Sequence, residues 1–150
     1  MCFSCPMHVV LLAIAALPLL TGCDGLPERV PVSGKVLIDG QPLTYGSIMV
    51  IPENARPAMG KIAPDGTFTL SCYEDNDGSV LGTHKVTVSA VEALNSSSQK
   101  WHAPKAYTEP DTSGLEVTIT EPTDSLVIEL SWKGGKPFIE NAAGDEVSGQ

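Results

Sequence analysis

The sequence predicts an all-β domain, an antiparallel β-sandwich of about seven strands, on two observations: apolar residues recur with a period of two in short runs, and Gly, Pro, Asn and Asp separate those runs. No stretch between Val32 and Leu130 repeats its apolar residues at helical spacing. Successive side chains of a strand point to opposite faces, so this alternation seals one face and leaves the other wet.

Val32, Gly34, Val36 and Ile38 alternate with Ser33 and Lys35 in the first strand, and Asp39-Gly40 supplies the positive-φ position of a tight turn. Gly46 to Pro52 is the second strand, and its run Ile48-Met49-Val50-Ile51 predicts cover on both faces. Gly60-Lys61-Ile62 leads into Pro64-Asp65-Gly66-Thr67, where Pro presets φ and Gly takes a conformation closed to other residues, so a hairpin is expected. Beyond it Phe68, Leu70 and Cys72 alternate with Thr67, Thr69 and Ser71, which points Cys72 inward. Gly82 to Ala90 sets Val86 and Val88 against Lys85, Thr87 and Ser89. The last runs carry Leu115, Val117 and Ile119, then Leu126, Ile128, Leu130 and Trp132, which assigns Trp132 to the core.

Three stretches read as something other than strand. Glu92 to Tyr107 is a long polar connection holding Asn95-Ser96-Ser97-Ser98 and Trp101-His102-Ala103-Pro104, and loops of that length usually bind something or move. Asp24 to Pro31 is a short tether. Lys133 to Gln150, with Gly134-Gly135 and few apolar residues beyond Phe138, Ile139 and Val147, reads as a flexible tail.

At the N-terminus the apolar run Val9 to Leu19 is too short for a confident bilayer span and ends directly at Leu20-Thr21-Gly22-Cys23. That tetrapeptide resembles the lipobox of bacterial lipoproteins, whose cysteine is acylated and becomes the new N-terminus. The resemblance implies a signal peptide over 1–22 and a lipidated Cys23 with its tether over 23–31, and with the strand pattern and the tail composition the chain divides further into a sandwich over 32–132 and a tail over 133–150. One departure is that Met1 to Met7 holds no Lys or Arg, where export signals carry positive charge.

The net charge is −9, and residues 1–22 hold none of the charged side chains, so the acidity belongs to the folded part. Such a surface argues against nucleic acid as a partner and against peripheral attachment to anionic lipid, which leaves covalent lipid as the membrane link. Of the four cysteines, Cys2 and Cys5 leave with the signal and Cys23 takes lipid, so Cys72 has no disulfide partner.

The runs Val32-Ser33-Gly34-Lys35-Val36, Asp39-Gly40-Gln41-Pro42-Leu43, Gly46-Ser47-Ile48-Met49-Val50 and Pro64-Asp65-Gly66-Thr67-Phe68-Thr69-Leu70 together resemble the carboxypeptidase regulatory-like domain, also described as transthyretin-like or prealbumin-like. Asp77-Gly78-Ser79-Val80-Leu81-Gly82-Thr83-His84-Lys85-Val86-Thr87-Val88 and Tyr107-Thr108-Glu109-Pro110-Asp111-Thr112-Ser113-Gly114-Leu115 look like an uncharacterised secreted lipoprotein subgroup of it. The resemblance covers Val32 to Leu130 and implies an Ig-like or prealbumin-like sandwich. Its motifs encode strands and turns, and they carry no chemistry.

The candidate chemistry is sparse. His8, His84 and His102 are the histidines, and His8 leaves with the signal, so a three-histidine zinc site is excluded. A Cys72–His84 site, metal or nucleophilic, conflicts with an inward thiol, because an apolar setting raises its pKa. The transthyretin-like hydrolases use histidines, an arginine and a C-terminal Tyr-Arg-Gly-Ser, whereas this chain ends Glu146-Val147-Ser148-Gly149-Gln150. Asp75, Asn76 and Asp77 are the calcium candidates, set against a solvated acidic turn whose side chains cap their own backbone. Trp101 and Tyr107 are the ligand-binding candidates, as an aromatic platform for sugar or peptide, set against plugging the open end of the sandwich. The expectation is a noncatalytic protein without cofactor, lipid-anchored in the cell membrane or outer membrane and facing periplasm or exterior. Its partners would be the membrane and an envelope polysaccharide or protein. A calcium-dependent or carbohydrate-binding accessory module is the alternative, and a transthyretin-like hydrolase is third.

Overall fold

The computed structural model describes residue 25, residues 27–141 and the backbone of 146–148. The expected signal peptide over 1–22, the expected lipidation site Cys23 and Asp24 lie outside the described residues. The fold is all-β, and among the described residues no helix is long and apolar enough to cross a membrane. The strands are β1 (Arg29–Val30), β2 (Val32–Ile38), β3 (Gln41–Pro42), β4 (Ser47–Ile51), β5 (Ala58–Lys61), β6 (Thr67–Thr69) and β7 (Ser79–Val80). They continue with β8 (Gly82–Ser89), β9 (Val91–Ala93), β10 (Ser98–Trp101), β11 (Leu115–Ile119), β12 (Thr123–Leu130), β13 (Phe138–Asn141) and β14 (Glu146–Ser148). Several of these are two- or three-residue pieces, which is why they exceed the expected count.

One sheet runs β11-β8-β4-β5, antiparallel throughout, and faces a second, β12-β2-β3, in which β6 also pairs with β2. Their inner faces interdigitate. Val32 and Val36 of β2, Ile48 and Val50 of β4, Val86 and Val88 of β8, Val117 and Ile119 of β11, and Ile128 and Leu130 of β12 all enter one core. Full burial of each such side chain contributes roughly 1.5–3 kcal/mol, the term that opposes chain entropy. The alternation that predicted these strands is therefore the alternation that fills the core.

One pair is parallel. β12 lies beside β2 with Leu126 opposite Gly34 and Leu130 opposite Ile38, so both strands run from the end where β1 enters toward the Asp39-Gly40 turn. A side chain at Gly34 would place its Cβ 1.8 Å from the Leu126 carbonyl oxygen, so only glycine lets the two backbones approach here. Asp39 and Gly40 have φ of 47° and 79°, the positive values that a two-residue hairpin turn requires.

Five expectations need correction, the last of them the placement of Trp132. β4 is not covered on both faces: Ile48 and Val50 are buried while Ser47, Met49 and Ile51 are half-buried, because nothing closes the outer side of its sheet completely. The turn at Pro64 to Thr67 does not close a regular hairpin. β5 stays with β4, β6 crosses to β2, and only Met59 and Ser71 bridge them. Arg29 and Val30, expected in the tether, pair with Val80 and Ser79 and belong to the domain.

The fourth concerns Glu92 to Tyr107 and the segment expected as a flexible tail, which build a further antiparallel sheet, β14-β13-β10-β9. In it Trp101 pairs with Phe138 and Gln99 with Glu140. A 3-10 turn over Lys105–Thr108 follows β10. Trp132 lies beyond the last residue of β12, half-buried, with its ring edge-on to Phe138 at 6.4 Å, and is not in the sandwich core. This sheet hangs from the end of the sandwich opposite β1, since β8 runs from Gly82, beside β7, toward Ser89, beside β9.

Candidate functional site

Trp101 and Tyr107 are brought to the same end of the sandwich but form no exposed platform. Trp101 is 9% exposed, its ring stacked on Phe138 at 6.2 Å with the Lys105 ammonium 5.3 Å from its centre. Tyr107 packs against the core, where its hydroxyl accepts from the Ser131 amide at 3.0 Å and lies 3.3 Å from the Ser131 carbonyl. Both rings plug the sandwich end. Of the two alternatives for these rings, a platform for sugar or peptide and a plug, the geometry is that of the plug: β13, invisible to a reading of the 92–107 stretch alone, covers the indole.

The polar centre of this region is Glu140. Its Oε2 accepts from the Gln99 amide at 2.8 Å and the Trp101 indole at 3.0 Å, and its Oε1 accepts from Lys105. The Lys105 contact foremost, then Gln99 and Trp101, holds the carboxyl at about 2. Three elements, β10, the 3-10 turn and β13, meet on one carboxylate. Beside it, Glu92 on β9 pairs with His102 at 2.8 Å, and the Tyr45 ring lies 5.3 Å from the imidazole. Among the described residues that imidazole's side-chain hydrogen-bond partner is the Glu92 carboxylate.

At the opposite end sits the acidic turn. Asp77 Oδ1 accepts from the Cys72 amide at 2.6 Å, its Oδ2 accepts from the Tyr73 and Glu74 amides at 3.1 and 3.2 Å, and Arg29 Nε lies 2.8 Å from Oδ2. Desolvation, the largest single influence, pushes this carboxyl up, but the three amides and Arg29 together hold it below the usual range. Asn76 takes a φ of 61° and donates its amide to Ser71 Oγ at 2.9 Å. A carboxylate so engaged is a structural cap, and among the described residues no group of His, Cys, Asp and Glu is arranged to hold a metal ion. For Asp75, Asn76 and Asp77 this geometry is that of the capping alternative to a calcium site. Arg29 and Arg56 both lie over the Tyr73 ring, at 4.8 and 5.3 Å from its centre, and complete the cap.

Cys72 and His84 are each engaged with a backbone carbonyl. The buried thiol donates to the Arg56 carbonyl at 3.3 Å, while His84 Nε2 lies 2.9 Å from the Val80 carbonyl oxygen. Burial first, and the Asp77 carboxylate second, push the Cys72 thiol up, which is the direction of an unreactive core cysteine.

Sequence reasoning missed Glu140, Phe138, Lys105 and the Tyr45–His102 contact. No local pattern marks them, because each depends on pairing between stretches far apart in the chain. Comparison with protein families, curated proteins and solved structures finds no match to this chain.

Proposed function

We propose that this protein is a lipid-anchored β-sandwich of the bacterial cell envelope with a noncatalytic role in binding or in envelope architecture. The observation that carries the reading is the Leu20-Thr21-Gly22-Cys23 tetrapeptide directly after the apolar run, close ahead of β1 at Arg29. Two acyl chains on Cys23 would hold the domain stably, where one binds only marginally. With Cys23 acylated, the acidic turn and β1 lie toward the membrane, and the sheet built on Trp101 and Glu140 points away from it. The motif resemblance to carboxypeptidase regulatory-like domains supports a modular, noncatalytic role by analogy of fold.

Expression in a bacterial host with a labelled fatty acid tests this. Label should enter the wild-type chain and remain with the membrane fraction, whereas Cys23→Ala should carry no label and leave that fraction after a high-salt wash. Retention of the variant in washed membranes overturns the reading.

A further inference from the structure

We propose that Met49 and Met59 form a binding site for a soft monovalent metal cation of the Cu(I) or Ag(I) class. The two residues are directly opposed in the β4–β5 ladder. Ile48, Val50 and Ala58 point into the core, so both methionines stand on the outer face of the sheet. Met59 is 51% exposed and Met49 half-buried. Opposed residues in an antiparallel pair hold their Cβ atoms about 4.5–5.5 Å apart, and two unbranched thioether chains on that base bring both sulfurs to one ion. Their neighbours on this face are Ser47 and Lys61 at one end of the ladder, Ser71 bridged to Met59, Thr87 on β8 and the half-buried Ile51, none of which offers a competing soft donor.

The donor chemistry sets the selectivity. Neutral thioether sulfur prefers soft cations, while Ca²⁺ and Mg²⁺ need oxygen ligands that this pair does not offer. A net charge of −9 raises the concentration of any cation near the surface. Binding here involves no electron transfer, and the site is independent of whether Cys23 carries lipid.

The test is a titration of the full chain in detergent with Ag(I), which does not change oxidation state on binding, followed through ¹³C-labelled methionine methyl signals. Cysteine thiols take up the first equivalents and leave these signals in place. Further Ag(I) should then shift the Met49 and Met59 signals with one shared midpoint, and Ca²⁺ should shift neither. Met59→Leu preserves apolar volume and should weaken the Met49 response on the order of a hundredfold, since the second donor acts at high effective concentration. Met49→Leu should do the same to Met59. Absence of a shared shift, or an undiminished response in either variant, overturns the proposal.

Discussion

The indole Nε1 of Trp101 donates to Glu140 Oε2 at 3.0 Å, a diagonal contact across the β10–β13 ladder in which Trp101 itself pairs with Phe138. This bond orients the indole edge while Phe138 and Lys105 cover its face. The terminal sheet is thus held at one carboxylate.

Glu140→Ala should therefore loosen β13 without unfolding the sandwich. Trp101 fluorescence should shift toward the exposed range and amide exchange in 138–141 should accelerate, while exchange in β2 and β8 stays slow. Equal acceleration in the sandwich strands would refute this separation.

Acid should have the same effect as that substitution. Because the folded-state carboxyl is held below its ordinary value of 4.5, its stabilising contribution is fully present above that value and disappears as pH falls toward about 2. The wild type should lose protection of 138–141 across that window, and Glu140→Gln should flatten the loss.

Cys72 should label slowly with a thiol reagent in the native domain and rapidly in denaturant, since burial keeps its thiol protonated and covered. Rapid native labelling would mean that its stretch is turned to the opposite face.

Asp77→Ala should cost on the order of 2 kcal/mol, because three backbone amides and Arg29 lose their acceptor together. Since its carboxyl is held below the usual range, that contribution is present at neutral pH and is lost as pH falls through the lowered value. Saturating Ca²⁺ should leave the wild-type melting temperature where Mg²⁺ leaves it. A calcium-specific rise that Asp77→Ala removes would show that the carboxylate exchanges its amides for an ion.

Gly34→Ala should cost roughly 3 kcal/mol, as β12 must retreat from β2 to clear the new methyl group. Chemical denaturation of the wild type and variant measures it, and a loss below 1 kcal/mol would show that the strands can separate without penalty.

The sandwich was legible because its strands declare their inner faces locally: Val86 and Val88, or Val117 and Ile119, alternate within a single window. The terminal sheet was not, because Phe138-Ile139-Glu140 follows Gly134-Gly135-Lys136-Pro137 and shows no alternation of its own. Its stability comes from Ser98 to Trp101, a stretch that read as loop. At the acidic turn the capping reading was available from the residue types, whereas the Arg29 partner, brought in by β1 from a distant part of the sequence, was not. Trp132 was misplaced because apolar alternation continues in the sequence past Leu130, the point where the strand ends.

The parallel pairing of β2 with β12 has a mechanical consequence. The chain enters β2 at one pole and leaves β12 at the other, so tension between the two ends pulls adjacent strands in opposite directions along their length. Evenly spaced slanted hydrogen bonds then bear the force together, in shear, and cannot be opened one rung at a time. Held ahead of β2 and gripped beyond β12, the sandwich behaves as a stiff link in series, with the shear strength of this single ladder setting the load at which it gives way.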